Sequence, residues 1–314
     1  HPRVDRLHAS LRKHYQETLM GTRPHNNDKT RLLYWNCDGI ANKTPELKHI
    51  LKEYEIDVLL LQETHLKPEK KLKLRGYTIH RADRLYRPKG GVAIAVKDNV
   101  KHKLVPVPGF QALESIALQT KLGGRDVLLI SAYIPDDNLL KGDELLALFR
   151  LAPQVILAGD LNAKHPVWLS KTTNANGREL FKAIRNKNIM VYSPMEPTHI
   201  PYNPEHRPDW LDILLWKGNP LPLTIDCLHR GDSDHQPILV ELNADQTKLQ
   251  PSQRLNYKRA NWERFSESLS RNCTIPIVNC PQDINIAVDT ITGQIQTAMA
   301  VAIPKARPFS EPRS

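Results

Sequence analysis

The chain has 314 residues, enough for one large domain or two modest ones, and 40% of them are hydrophobic, so it can bury a core. A formal net charge of +10 and a pI near 9.4 favour a polyanionic partner, nucleic acid before membrane. The four cysteines include no Cys-x-x-Cys pair, which argues against zinc and fits a reducing intracellular setting, and since no apolar run is long enough to span a bilayer we expect no membrane partner.

The first elements predict a strand–helix–strand unit. Residues 1–28 are polar and basic and indicate a loosely ordered leader. The run 31–36 is the first clear strand. Apolar residues at helical spacing predict a helix over 45–54, and the fully apolar run 58–61 is typical of a buried strand. Polar residues follow both strands at their carboxyl ends.

Many strands with few helices between them then predict two sheets packed together, with helices outside. Helices are expected at 143–151 and 177–186. The further predicted strands are 77–81, 91–96, 114–120, 126–133, 155–158, 211–215, 223–228 and 236–242.

The composition changes near residue 244, so we predict one folded domain over 29–243 and a linker with a helical segment over 244–314. Within that segment, 261–269 is expected to be helical. An apolar stripe from Ile284 to Ala302 indicates a second helix, of the kind that packs on a neighbouring domain.

One stretch, Val155–Ala163, carries a pattern typical of a site. An apolar run ends in Gly159, which permits a sharp turn, and the chain then offers Asp160 and, two residues on, Asn162. A carboxylate beside a carboxamide at the end of a strand can hold a water and a phosphate oxygen. Taken alone, an Asx turn explains the same residues.

Other polar residues share this context, because each follows, interrupts or directly precedes an apolar strand. If the strand ends converge, they meet in one cleft. Oxygen donors with a single histidine suit a hard cation such as Mg²⁺ or Mn²⁺ and the hydrolysis of a phosphodiester. The set is Asn36, Asp38, Glu63, Tyr133, Asp160, Asn162, Asp212, Asp234 and His235.

Each of these residues also has a structural interpretation. Glu63 could be a solvated strand end, Asn36 a turn residue, Tyr133 a packing residue, and His235 a structural histidine. Asp212 is harder to explain in that way, because a carboxylate inside an apolar strand needs a partner.

A basic loop that carries an aromatic residue is predicted between two strands. This composition is typical of a contact with a phosphate backbone. A solvated hairpin turn is the alternative. The candidate DNA-binding residues are Arg81, Arg84, Tyr86, Arg87 and Lys89. Cys37 is expected to be a packed residue, so that Cys37→Ala keeps activity.

Five motifs occur in the order of the endonuclease/exonuclease/phosphatase superfamily and most resemble its apurinic-endonuclease-like branch: Trp35–Gly39, Gln62–His65, Gly159–Asn162, Leu211–Asp212 and Ser233–His235. Within that branch the chain looks closest to the endonuclease domain of Jockey-like non-LTR retrotransposons. The segments that carry this closer resemblance are Gln62–Leu66, Lys89–Ile94 and Gly159–His165. Two later segments, Asn256–Trp262 and Ala302–Pro304, resemble the part that joins such an endonuclease to the reverse transcriptase.

The resemblance implies a DNase I-like, four-layer α/β sandwich with a helical C-terminal extension. It implies a Mg²⁺-dependent enzyme (Mn²⁺ being an alternative) that nicks double-stranded target DNA and leaves a 3′-hydroxyl. A reverse transcriptase domain of the same polyprotein would extend that end, with the element's RNA as an indirect partner. The site of action would be the nucleus.

The resemblance also implies roles on the metal side of the site. Glu63 would hold the metal with Asn36 and Asp38 nearby, and Asp234 would be a second acidic group near the metal or the leaving group. Tyr133 would contact the phosphate or assist the leaving oxygen.

On the phosphate side, Asp160 would orient or deprotonate the attacking water and Asn162 would bind the scissile phosphate. His235 would contact a phosphate oxygen and be oriented by a carboxylate. Two aspartates compete for that orienting role. Asp212 is preferred to Asp209 because apolar strand residues follow it.

Two other functions stay open at this stage. An abasic-site repair nuclease of the same superfamily would share the motifs. A catalytically silent DNA-binding tether for a polymerase would have lost catalytic residues, whereas every motif position here carries a competent residue type.

Overall fold

A computed structural model describes residues 29–244, 256–272 and 281–304. The predicted leader at 1–28 and most of the predicted linker lie outside the described residues. The chain divides into two compact units, 1–249 and 250–314.

Two six-stranded mixed sheets form the first unit. The first sheet has the strand order β11-β12-β1-β2-β4-β3 and the second β5-β6-β7-β8-β10-β9. In chain order the strands are β1 Lys29–Asn36, β2 Val58–Gln62, β3 Tyr77–Ala82, β4 Val92–Lys97, β5 His102–Val105, β6 Glu114–Leu122, β7 Arg125–Tyr133, β8 Val155–Asp160, β9 Ile189–Tyr192, β10 Asp212–Lys217, β11 Leu223–Cys227 and β12 Ile238–Asn243.

Three helices of this unit, α1 (Thr44–Glu53), α2 (Gly142–Arg150) and α3 (Ala175–Ile184), cover the outer faces of the sheets. The apolar face of α1 packs with the first sheet, and α2 and α3 pack with the second. A third core fills the space between the sheets. The predicted four-layer α/β sandwich is confirmed.

Alternation along the strands explains the layers. In β1, Leu32 and Tyr34 enter the core between the sheets, whereas Leu33 and Trp35 face α1. Because both faces of a central strand are covered, its sequence is continuously apolar rather than alternating. The five residues of β2 are all buried.

Strand pairing brings the polar motifs to one edge. β1 and β2 are parallel with Asn36 opposite Gln62, so their carboxyl ends coincide. In the second sheet, β8 and β10 are antiparallel and place Asp160 opposite Asp212. The two sheets therefore present their motif residues at the same end of the sandwich.

Three expectations need correction. The strands β5 and β9 were not predicted, because both are four-residue edge strands whose pairing, rather than their pattern, defines them. Arg81, counted both with the predicted strand 77–81 and with the basic loop after it, lies in β3, which confirms the strand and corrects the second placement. The strand predicted at 211–215 begins at Asp212, where its pairing with Asp160 of β8 starts.

The second unit is described by two helices, α4 (Trp262–Asn272) and α5 (Pro281–Ala302). The Asn261 N–H donates to the Ala302 carbonyl at 2.9 Å, so the start of α4 lies beside the end of α5. Ile284, Val288 and Ile291 of the predicted stripe are exposed. Among the described residues, no helix is both long and apolar enough to cross a bilayer.

Substitution of Gly159 tests how closely the backbone packs next to Asp160. Its φ is +150°, and a Cβ there would lie 2.0 Å from the Ala132 carbonyl oxygen of the neighbouring strand. We expect Gly159→Ala to lower the free energy of unfolding by about 3 kcal/mol, because backbone must move. Gly76→Ala is the control, since φ is +83° there and no atom lies within 4 Å of the added Cβ; its cost should be about 1 kcal/mol. Urea titration followed by tryptophan fluorescence measures both, and equal losses would contradict the steric argument.

Candidate active site

The motif residues meet in a cleft of about 170 Å³ at the edge where the strand ends converge. Seven of the nine predicted site residues line it. These are Asn36, Asp38, Glu63, Asp160, Asn162, Asp234 and His235. The other two, Tyr133 and Asp212, lie behind the lining and hydrogen-bond to it.

Asn36 connects the two carboxylates at the centre of the cleft. Its amide nitrogen donates to Asp160 Oδ2 at 2.9 Å and to Glu63 Oε1 at 3.1 Å. Its carbonyl oxygen accepts the N–H of Asp38 at 3.1 Å. One side chain on β1 therefore fixes groups from three motifs and two sheets.

Glu63 is held as a carboxylate. Burial opposes its ionisation, but hydrogen bonds from His65, Tyr133 and Asn36 outweigh burial and lower its pKa to about 2. The His65 bond, from Nε2 to Glu63 Oε2, measures 3.0 Å. Burial and the Glu63 charge together raise the pKa of Tyr133 well above its usual value, so its hydroxyl stays a donor.

Backbone strain is concentrated at this cleft. Asp38, Glu63, His65 and Asn162 have φ values of +37°, +48°, +52° and +44°. Non-glycine residues rarely adopt this left-handed conformation, which costs of order 1–3 kcal/mol each and persists where surrounding contacts impose it. The contacts of the site therefore hold its residues in conformations that local preference disfavours.

The Asp160–Asn162 pair makes the local turn expected from sequence, with Asp160 Oδ1 accepting the Asn162 N–H at 2.9 Å. The Asn162 side chain also donates to the Ile134 carbonyl at 2.9 Å. The Asx turn that the sequence also predicted is therefore part of the site and not an alternative to it. Burial raises the pKa of Asp160, and the neighbouring His235 opposes that rise.

His235 is oriented by Asp212. Its Nδ1 donates to Asp212 Oδ2 at 2.7 Å, which leaves Nε2 directed at the cleft, 3.8 Å from Asp160 Oδ2. Burial disfavours a charged imidazole, but Asp212 and Asp160 outweigh it and raise the His235 pKa. Asp209, the competing aspartate, instead pairs with Lys164 at 3.1 Å.

Two further histidines contact the predicted residues and were given no role by the sequence interpretation. The His199 ring lies 4.6 Å from that of His235, and its Nε2 donates to Asp234 Oδ2 at 3.2 Å. His65 bonds Glu63, as described above. The signals for them were weak, because His65 lies inside the Glu63 motif without a role of its own and His199 lies in none of the five motifs.

The basic candidate residues separate into two groups. Arg81 pairs with Asp83 at 2.6 Å, and Arg84 pairs with Glu114 and lies over the Tyr133 ring at 5.7 Å, so both brace the protein. Arg87, Lys89 and Tyr86 are exposed. Arg87 pairs with the exposed Asp137 at 2.7 Å, Lys89 Nζ lies 3.8 Å from Asp38 Oδ1, and Tyr86 is 95% exposed.

The donors at the Glu63 end of the cleft fit a hard divalent cation. Ligand atoms of Asp38, Glu63 and His65 lie within 4.8 Å of one another. The low pKa of Glu63 keeps its oxygens unprotonated, and carboxylate oxygens suit Mg²⁺ or Mn²⁺. The Asn36 oxygen faces the Asp38 N–H, so this arrangement uses Asn36 to hold the carboxylates.

Cys37 lies next to the site but inside the core. Its side chain is fully buried, and its thiol lies 3.3 Å from the Gln62 carbonyl oxygen. Burial raises its pKa to about 12, so a reactive thiolate is scarce at neutral pH.

Comparison with known proteins agrees with the motifs. Residues 127–239 match a family described as "Endonuclease-reverse transcriptase". The chain is 30% identical over 287 residues to a "Probable RNA-directed DNA polymerase from transposon BS" of Drosophila melanogaster, covering 87% of this chain and 31% of that protein. It is 27% identical over 274 residues to the "RNA-directed DNA polymerase from mobile element jockey" of Drosophila funebris, covering 86% of this chain and 30% of that protein.

Solved structures share the fold. The "Endonuclease domain of TRAS1, a telomere-specific non-LTR retrotransposon" gives a TM-score of 0.58 at 18% identity, covering 68% of this chain and 98% of that one. The "AP endonuclease LMAP from Leishmania major" gives 0.56 at 14% identity, covering 73% and 94%. The chain spans about 30% of the length of the curated relatives it matches.

The Asp212–His235 contact can be tested by nuclear magnetic resonance. We expect Asp212→Asn to lower the imidazole pKa of His235, because a charge that favours the imidazolium is removed while the side-chain shape is kept. Asp209→Asn removes an equal charge from the Lys164 pair and should leave that pKa nearly unchanged. Titration of the ¹⁵N-labelled imidazole measures both variants. An equal fall in the two would show that Asp212 has no special place beside His235.

Proposed function

Starting from the confirmed resemblance to the endonuclease domains of Jockey-like non-LTR retrotransposons, in the endonuclease/exonuclease/phosphatase superfamily, we propose that this chain nicks double-stranded DNA by metal-dependent hydrolysis of a phosphodiester. The observation that carries the proposal is the cleft itself. There Asn36 joins Asp160 to Glu63, and His235 faces the same space with Asp212 behind it.

Glu63 and Asp38 would hold the cation, Mg²⁺ or Mn²⁺, with Asn36 fixing the Glu63 carboxylate. Asp234 is a further carboxylate that lines the cleft. When bound, the cation would supply positive charge to the phosphate oxygens and favour deprotonation of water.

The side chains of this protein divide the remaining work. Asp160 accepts the proton of the attacking water, and Asn162 and His235 Nε2 donate to phosphate oxygens, where charge develops. A bond forms between the water oxygen and phosphorus, and the bond from phosphorus to the 3′ oxygen breaks. That oxygen takes up a proton from solvent or from Tyr133, so the products are a 5′-phosphate and a 3′-hydroxyl.

A 3′-hydroxyl is what a polymerase extends, and the curated relatives are described as RNA-directed DNA polymerases. The nick would therefore prime reverse transcription by a polymerase domain of the same polyprotein, with the element's RNA as its template. The target duplex is the direct partner, and the nucleus is the place of action that this role requires.

DNA would be gripped beside the cleft by the exposed residues Tyr86, Arg87 and Lys89. The Arg84–Glu114 pair holds the segment that carries them, and the Gly91 N–H donates to the same Glu114 at 2.7 Å. An exposed aromatic ring with neighbouring cations can stack on a base or contact a sugar while the cations bind phosphates.

Nicking of supercoiled plasmid by the full chain tests the proposed function. We expect conversion to open circle with Mg²⁺ and none with chelator. Asp160→Asn and His235→Ala should each lose at least about 100-fold in rate, because each removes proton transfer or charge stabilisation. Cys37→Ala is the control, since Cys37 is buried in the core beside the cleft and should keep the rate.

Two outcomes would contradict the proposal. Tight, folded binding to the plasmid without any metal-dependent nick would indicate a DNA-binding tether. Cleavage restricted to duplexes that contain an abasic site would indicate a repair nuclease.

A further inference from the structure

A basic segment outside the cleft has no part in the proposed reaction. Residues 67–75, hereafter the basic segment, connect the Glu63 motif to β3 and carry five cations in nine residues, against a single acid, Glu69. The cations are Lys67, Lys70, Lys71, Lys73 and Arg75.

These five cations are exposed, and none of them forms an ion pair with a residue of the described part of the chain. Arg81 and Arg84, close by, are paired and largely covered. Much of the unpaired positive charge on this side of the cleft is therefore concentrated in the basic segment. Like charges this close repel one another, so their clustering is a cost that a negatively charged partner would offset.

The basic segment is held in place despite this repulsion. Leu66 before it and Leu74 within it are buried, at 7% and 5% exposure. Arg81 donates to the carbonyl oxygens of Lys67 at 2.9 Å and Lys70 at 2.6 Å, and Asp83 holds the same guanidinium at 2.6 Å. Arg81 therefore fixes the backbone that presents the lysines.

The basic segment begins at the rim of the cleft. The N–H groups of Thr64 and His65 donate to the carbonyls of Gly91 and Gly90 at 3.0 and 2.9 Å. The chain that leaves Glu63 thus runs beside the segment that carries Lys89, before the five cations begin. Lys89 lies 3.8 Å from Asp38 in the cleft, so positive charge continues outward from the site.

We propose that the basic segment binds the phosphate backbone of the target duplex outside the cleft, and so extends the DNA footprint of the enzyme. This inference rests on the proposed function. Duplex DNA carries one negative charge per about 1.7 Å of its axis, so a row of fixed cations can neutralise several successive phosphates. The contact would add affinity without sequence choice and without touching the reacting phosphate.

The salt dependence of binding tests this contact. The full chain with Lys67, Lys70, Lys71 and Lys73 all changed to glutamine is compared with wild type on a fluorescent 40-base-pair duplex. If each lysine neutralises one phosphate, the slope of log K against log salt should become shallower by about 3 to 4. Melting temperature should be unchanged, because the altered side chains are exposed.

The matched control changes four other exposed cations to glutamine, so that its net charge equals that of the basic-segment variant. They are Lys101, Arg125, Lys182 and Lys187, which lie toward the end of the sheets away from the cleft. Its slope should stay within about one unit of wild type. The single-turnover rate of plasmid nicking at saturating protein should be within twofold of the wild-type rate for both variants. The protein concentration that gives half of that rate should rise for the basic-segment variant alone.

Equal slopes for the two variants, whether both unchanged or both reduced, would overturn the proposal. A basic run such as Lys70–Lys73 is also typical of nuclear import signals. If the basic-segment variant keeps the wild-type slope but no longer accumulates in nuclei, the segment is an import signal and the proposal is wrong. Because binding is measured without cleavage, absence of nicking by wild type would reject the proposed function and leave the slope comparison valid.

Discussion

The site depends on one carboxamide that joins the two sheets. Asn36 ends β1 of the first sheet, and its amide group bonds Asp160 at the end of β8 in the second sheet as well as Glu63. A second buried contact supports it, since Gln62 donates to the Ser131 hydroxyl at 2.8 Å and that hydroxyl donates to the Leu61 carbonyl at 2.9 Å. These polar bonds fix the relative position of two sheets whose common core is otherwise apolar and non-directional.

The same apolar layers explain why the ionisable groups behave as they do. Asp160, Asp212 and His235 are almost completely buried, where an unpaired charge would be costly. They remain in the structure because they are paired, His235 with Asp212 directly and Asp160 with two amide donors. Burial therefore strengthens the electrostatic interactions between these groups at the edge of the sheets where the cleft lies.

Charge outside the cleft is organised by a few ion pairs. Arg84 with Glu114 and Arg81 with Asp83 are partly covered, and they hold the segments on which the exposed cations stand. The net charge of +10 thus has a spatial pattern that composition does not express. A duplex lying over the cleft would meet cations that the protein has already positioned, which limits the conformational entropy lost on binding.

The sequence by itself determined the layered fold and nine residues that lie in or directly behind the cleft. Continuous apolar strands, helical periodicity and five ordered motifs were sufficient, because strand ends in such a fold meet at one edge. Only the tertiary structure decided the contacts between distant segments. It placed Asp212 rather than Asp209 against His235, added His65 and His199, and paired Arg81 and Arg84 internally. It also revealed the edge strands β5 and β9. These features depend on which side chains approach across strands and loops, and local residue patterns carry no information about such partners.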